Sequence, residues 1–304
     1  MEQLKGRDLL SIADLSRDEI LGLLQRAQSY KVTGGKTGSC QGKTLGLLFR
    51  KASTRTRVSF TVAMYHLGGQ VIDLDPNVTQ VSRGEPIADT ARVLDRYVDI
   101  LAIRTFAQEE VATFAHYCRI PVINALTDRE HPCQILADLL TIQENFPTMQ
   151  DVNVAYLGDG NNVAHSLLLA CAIVGINIRL ACPPQFSPLP EIVELAQSYA
   201  EGTEITITTD PRAAAKGAHV LYTDVWASMG KEQEQNDRMP IFMPYQLNES
   251  LLELATADCI VLHCLPAHRG EEITATVLEG SHSRVWDQAE NRMHVQKALI
   301  ASLL

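Results

Sequence analysis

The sequence predicts an α/β protein built from two doubly wound parallel-sheet domains, with the last helix packing back on the first domain. Short β-rich runs alternate with helix-length amphipathic runs along nearly the whole chain, the pattern that builds parallel sheets. The chain has 304 residues, roughly two domains at the usual ~150 residues each. No apolar run reaches the ~18–20 residues that a membrane-crossing helix needs.

In the first half, TLGLLF (44–49), QVID (70–73), DILAIR (99–104) and PVIN (121–124) read as strands. Residues 54–67, 86–95, 108–117 and a stretch from Pro132 to about Phe146 read as helices. In the last of these, Ile135, Leu136, Leu139, Leu140 and Ile142 share one face. Pro132 suits a first helical position, where no backbone N–H is needed. The second half repeats the grammar. VNVAYL (152–157), INIRLAC (176–182), EITIT (204–208), HVLYT (219–223) and CIVLH (259–263) read as strands. Helices are expected at about 162–174 and 188–200, with a closing helix over about 289–304. Proline and polar residues interrupt the pattern at Phe146-Pro147, so the expected domains are 1–146 and 147–288.

Composition narrows the function. Lys and Arg total 26 against 36 Asp and Glu, a formal charge of −10. A generally acidic chain is a poor nucleic-acid binder unless it carries a strong basic patch. It still binds a small anion wherever donors cluster locally. The seven cysteines are scattered, with no CxxC pair or Cys/His zinc spacing. That pattern argues for a reducing, cytoplasmic setting and against a structural metal. The N-terminal run has neither a signal-peptide core nor the Arg-rich character of a transit peptide.

Parallel α/β sheets bind ligands beyond the carboxyl ends of their strands, so the residues that follow each strand are the informative ones. After 44–49 comes Arg50-Lys51-Ala52-Ser53-Thr54-Arg55-Thr56-Arg57. Ser53 is placed to cap a helix, and free backbone N–H groups, hydroxyls and cations would converge there on an anion such as phosphate. A capped helix whose first turn faces water is the plain alternative. Arg104 ends the strand 99–104, and His131 stands at the next helix start. The helix dipole there favours a neutral imidazole able to donate to a carbonyl oxygen, although His131 alone reads equally as a cap.

After 152–157 comes Gly158-Asp159-Gly160-Asn161-Asn162-Val163. Val163 stands where a dinucleotide fingerprint has its third glycine, so a nicotinamide cofactor is not expected. The two glycines allow a tight turn and close backbone approach by a ligand. After 219–223 come Asp224 and then Ser228-Met229-Gly230 in a polar stretch reaching Met239. An acid with small neighbours suits an amino-acid zwitterion, and an ordinary solvated excursion is an equal reading. After 259–263 comes Cys264, either a nucleophile or proton acceptor or one more buried thiol. Cys133, Cys171, Cys182 and Cys259 read as buried small hydrophobes.

Taken together these segments resemble the aspartate/ornithine carbamoyltransferase family. Ser53-Thr54-Arg55-Thr56-Arg57 is similar to its carbamoyl-phosphate signature. Gln80, Arg83-Gly84-Glu85, Asp89-Thr90-Ala91-Arg92, His131-Pro132-Cys133-Gln134 and Asp287-Gln288-Ala289-Glu290-Asn291-Arg292 continue the match in order. Asp224-Val225-Trp226-Ala227-Ser228-Met229-Gly230 and His263-Cys264-Leu265-Pro266 resemble the ornithine branch, whereas aspartate enzymes carry proline in place of the cysteine.

The resemblance implies carbamoyl transfer from carbamoyl phosphate to L-ornithine, with no cofactor and no metal. It implies that Ser53, Thr54, Arg55, Thr56, Gln80, Arg104, His131, Gln134, Arg292 and the Cys264-Leu265 turn contact carbamoyl phosphate. Asn162, Asp224, Ser228 and Met229 would hold ornithine, with Cys264, Arg104, His131 and Asp224 at the chemistry. It also implies a homotrimer or an assembly of trimers in which Gln80 reaches a neighbour's site. A sister enzyme using aspartate, putrescine or an acylated ornithine is the near rival. A non-catalytic anion-binding subunit is the rival from another class.

Overall fold

The computed structural model describes residues 4–75, 84–227 and 235–304. The chain divides into two compact units: residues up to Leu140 together with Glu290–Leu304, and Thr141–Ala289.

The first unit holds a parallel sheet of β1 (Thr44–Phe49), β2 (Gln70–Leu74), β3 (Ile100–Arg104) and β4 (Val122–Leu126), in the order β2-β1-β3-β4. β1 is buried from Leu45 onward and β3 throughout, whereas the edge strand β2 is largely exposed. Near-continuous apolar runs are what a parallel strand needs when both its faces are covered. The helices are α1 (Arg17–Val32), α2 (Thr54–His66), α3 (Ile87–Leu94), α4 (Gln108–Tyr117) and α5 (Pro132–Asn145).

α1 was not among the expected elements. Its signals are local all the same. Ser16 and Glu19 form a reciprocal capping box, and Ile20, Leu23, Leu24 and Ala27 bury one helical stripe at i, i+3, i+4 and i+7.

The second unit's sheet runs β7-β6-β5-β8-β9, again all parallel. Its strands are β5 (Asn153–Leu157), β6 (Asn177–Ala181), β7 (Ile205–Thr208), β8 (Val220–Thr223) and β9 (Ile260–His263). The helices α6 (Asn162–Val174) and α7 (Pro190–Tyr199) lie where the sequence placed them. Four shorter helices were not expected: α8 (Pro211–Ala215), α9 (Gln235–Phe242), α10 (Glu249–Leu252) and α11 (Ala275–Leu278). α9 replaces the last part of the polar excursion that the sequence carried to Met239. Ala155, Leu157, Leu221 and Val261 from the strands pack with Leu247, Ile273 and Val277 in one core.

The last helix, α12 (Val285–Leu303), begins a few residues earlier than expected. Its later part belongs to the first unit. There the Gly6 N–H donates to Leu303 O (2.8 Å), Arg26 Nη1 to Ser302 Oγ (2.9 Å) and Lys31 Nζ to Asn291 Oδ1 (2.9 Å). The division between the units falls inside α5, and the Phe146-Pro147 break lies just beyond that helix.

Each sheet contains one point where the strand order reverses. In the first it lies between β1 and β3, and in the second between β5 and β8. The connections leave in opposite directions at such a point, so a crevice opens beyond the carboxyl ends of the two strands.

Candidate active site

At the first reversal point, Ser53 caps α2 as its sequence position suggested. Its Oγ accepts the Thr56 N–H at 3.3 Å from an extended backbone. The first N–H groups of a helix have no intrahelical acceptor, and no acidic residue stands in the first turn of α2 to occupy them. Arg104 ends β3 beside Phe49 of β1, and its carbonyl accepts the Arg50 N–H at 2.8 Å. Arg292, carried into this unit by α12, donates from Nη2 to Thr56 Oγ1 at 2.5 Å. Arg55 Nε is buried and meets no acceptor. Arg55 and Arg292 thus bring guanidinium groups to one helix start, and Arg104 ends the strand beside the one that leads into it.

The loop before α5 completes this side. Lys51 pairs with Asp128 and sits 4.4 Å over the Phe106 ring, which ties the stretch before α2 to the stretch before His131. Burial, and then the Arg292 and Arg104 charges, hold the His131 imidazole well below its usual pKa. His131 is therefore neutral at pH 7 and offers an N–H without adding a charge. Gln134 donates from Nε2 to Asp138 Oδ1 at 2.8 Å, and its buried Oε1 meets no donor. A buried acceptor left open in this way suits an incoming N–H.

At the second reversal point the polarity is opposite. Asp224, following β8, is buried and accepts on both oxygens. Asn161 Nδ2 donates to Oδ2 at 2.8 Å, and the half-buried Cys264 thiol donates to Oδ1 at 2.9 Å. Position thus separates Cys264 from the other thiols. Cys133, Cys182 and Cys259 are buried, and burial pushes each up to about 12. Asn162 opens α6, whose cap is its neighbour Asn161.

Leu265 has φ +57°, the left-handed region that a branched side chain rarely enters. Its N–H donates to His263 Nδ1 at 2.8 Å. His263 Nε2 therefore carries the proton and donates to Glu272 Oε1 at 3.0 Å. The same oxygen accepts the His268 N–H at 2.6 Å. Glu272 was not singled out from the sequence, and His263 only as part of the His263-Cys264-Leu265-Pro266 segment, because nothing in a local pattern links positions nine residues apart across a turn. Asp224, His263 and Cys264 bring three possible metal-ligating atoms within 4.8 Å of one another. Both His263 nitrogens and both Asp224 oxygens are already engaged by the protein, so a cation there would have to break those bonds.

The glycine-containing turn after β5 serves the chain itself. A Cβ on Gly160 would lie 2.3 Å from Pro188 N and 2.5 Å from Ser187 C. The close approach expected of a ligand is made by the segment 186–188, whose Phe186 O accepts the Gly160 N–H at 2.8 Å. Next to it, Arg238 Nη1 donates to Asp159 Oδ2 (2.9 Å) and Trp226 O (2.8 Å) while lying over the Phe186 ring. Gln80, Arg83, Ser228, Met229 and Gly230 lie outside the described residues.

A donor-lined helix start suited to an anion in one unit, and an acid–thiol pair suited to a cation in the other, are the features of a parallel α/β enzyme. Residues 7–144 match the family model for the aspartate/ornithine carbamoyltransferase carbamoyl-phosphate-binding domain, and residues 150–303 match that for its aspartate/ornithine-binding domain. The chain belongs to the aspartate/ornithine carbamoyltransferase family. It is 68% identical over 305 aligned positions to an ornithine carbamoyltransferase from Thermosynechococcus vestitus, covering 100% of this chain and 98% of that one. A crystal structure of ornithine carbamoyltransferase from Gloeobacter violaceus is 57% identical, with a TM-score of 0.89 over 98% of this chain and 99% of that one. The ornithine carbamoyltransferase from Pyrococcus furiosus is 48% identical, with a TM-score of 0.96 over 99% and 97%.

Proposed function

We propose that this enzyme transfers the carbamoyl group of carbamoyl phosphate to the side-chain amine of L-ornithine, giving L-citrulline and phosphate. The observation that carries this reading is the Asp224–Cys264 pair, an acceptor-bearing site at the second reversal point. It suits a diamino acid and would repel the extra carboxylate of aspartate.

Ser53, Thr54, Arg55 and Thr56 hold the phosphate at the start of α2, with Arg292 as a further contact and Gln80 supplied by a neighbouring subunit. Arg104, the neutral His131 and Thr56 aim donors at the carbamoyl oxygen. Gln134 Oε1 and the Leu265 carbonyl accept from the carbamoyl NH₂. Asp224 holds the α-ammonium of ornithine together with Asn162 and the Ser228-Met229 segment.

Ornithine's side-chain ammonium must lose its proton before it can attack. Because Cys264 donates to Asp224, the thiol serves as base only by first passing its own proton to that carboxylate. Otherwise it orients the neutral amine. The amine nitrogen then attacks the carbonyl carbon and negative charge builds on the oxygen that Arg104 and His131 address. The bond to the bridging phosphate oxygen breaks, phosphate leaves with the electron pair, and the departing phosphate takes the remaining extra proton from the attacking nitrogen, which leaves neutral citrulline. Holding both substrates makes the encounter nearly unimolecular. The mixed anhydride drives the reaction toward citrulline, the biosynthetic direction to arginine. A homotrimer, or an assembly of trimers, in the cytoplasm is the expected form. The exposed apolar side chains Val58, Tyr65 and Tyr97 support burial in an assembly, and seven free thiols support a reducing compartment.

The test is a product assay with carbamoyl phosphate and a panel of amines. Citrulline should form with ornithine and little product with aspartate, putrescine or Nα-acylated ornithine. Preferred turnover of another amine, or carbamoyl-phosphate binding without any product, would overturn the reading.

A further inference from the structure

We infer that Asn161 is a positioning residue for the ornithine site, fixing the orientation of Asp224 and through it the direction of the Cys264 thiol. This rests on the functional reading above. Asn161 is the N-cap of α6, where its Oδ1 accepts the N–H groups of Val163 (2.9 Å) and Ala164 (3.2 Å). The Tyr156 hydroxyl lies 3.3 Å from the same Oδ1 and gives its one proton to the nearer Asp159 O at 2.9 Å. Burial, followed by the Asp224 and Asp159 charges, raises the Tyr156 pKa well above its usual value, so that hydroxyl remains a donor.

Two backbone N–H donors on one side leave the Asn161 amide no freedom to flip, because its NH₂ would then face N–H groups at a helix start. The NH₂ must point the other way, and there it donates to Asp224 Oδ2 at 2.8 Å. With Oδ2 held, Asp224 presents Oδ1 to Cys264, whose Sγ lies 2.9 Å away and can only donate. A single side chain thus links the α6 helix start, after β5, to the acid after β8 and the thiol after β9. These are three adjacent strands of one sheet.

Helix capping and Asp224 positioning are separable by substitution. Asn161→Asp keeps a capping oxygen as good as asparagine's but sets a carboxylate against Asp224. Asn161→Ser keeps a capping hydroxyl and removes the donor to Asp224. Steady-state kinetics in both substrates and thermal unfolding would be measured for parent and variants. Loss of a charge-assisted hydrogen bond predicts a fall of about 10- to 100-fold in kcat/KM for ornithine in Asn161→Ser, larger in Asn161→Asp. KM for carbamoyl phosphate should stay within about twofold, since neither change touches the α2 helix start, and Asn161→Ser should hold its Tm above that of Asn161→Ala because it keeps the cap. Asn161→Ala should show the same kinetic loss with a lower Tm. If either capping variant matches the parent in kcat/KM for ornithine, the inference is wrong. So it is if the loss tracks Tm alone. A parent chain that forms no citrulline would instead defeat the functional reading, and this inference with it.

Discussion

The crevices beside the two sheet reversals follow one grammar and carry opposite electrostatics. In the first unit the site beyond β1 and β3 is made of donors: a helix start with no acid in its first turn, buried Arg104 and Arg292, and a neutral His131. In the second unit the site beyond β5 and β8 centres on a buried carboxylate that accepts on both oxygens. The lesson is that topology fixes where a parallel sheet binds, while the few residues after each strand decide the sign of what it binds.

The sharpest way to break this comparison is at its donor side. Arg104→Ala should lower kcat by about 10²- to 10³-fold, the usual cost of losing one donor aimed at a developing oxyanion. KM for ornithine should move little. A kcat within a few-fold of the parent would show that Arg104 is not aimed at developing charge. On the acceptor side, Cys264→Ala should reduce kcat/KM for ornithine by about 10- to 100-fold. Carbamoyl-phosphate binding, followed by isothermal titration, should be nearly intact. Unchanged steady-state kinetics would remove Cys264 from the site.

A third change asks whether the glycine turn serves a ligand or the fold. Gly160→Ala drives a Cβ into the backbone at Ser187 and Pro188 and should cost about 1–3 kcal/mol of stability, read from the denaturant midpoint. An unmoved midpoint would mean that this packing is looser than the distances indicate.

The smallest expected effect is an absence of titration. An ordinary imidazole titrates near pH 6.5, but His131 is held well below that by burial and two arginines. Its lowered folded-state value means that the unfolded chain takes up the proton first. The associated stability is therefore present in full above the unfolded value and is lost as pH falls below it toward the folded value. At the site, KM for carbamoyl phosphate should stay flat from about pH 8 to about pH 6. A rise centred near pH 6.5 that disappears in His131→Gln would show that the imidazole titrates normally.

Much of this was legible in the chain. Each of the nine expected strands falls on an observed strand to within one or two residues, because a parallel strand buried on both faces is a short apolar run that advertises itself. Ser53 as a cap is equally local: it needs only its own extended backbone and an N–H three residues on. α1 was legible in principle, since its capping box and buried stripe lie within twelve residues, from Ser16 to Ala27. The meaning of Gly158-Asp159-Gly160 was not. A glycine reports that something comes close, and only the path of residues 186–188 says what does.

The sequence alone determined the order of strands and helices, the caps, the burial of most thiols and the residue types gathered after each strand. These are set by interactions within a few residues, where periodicity and propensity act. The tertiary structure decided which of those residues meet. Arg292 reaches Thr56 across 236 residues, Asn161 reaches Asp224 across 63, and Cys264 reaches Asp224 across 40. Those contacts depend on the strand orders β2-β1-β3-β4 and β7-β6-β5-β8-β9. Strand order is chosen by which faces pack most completely in three dimensions, a long-range property that no local pattern carries.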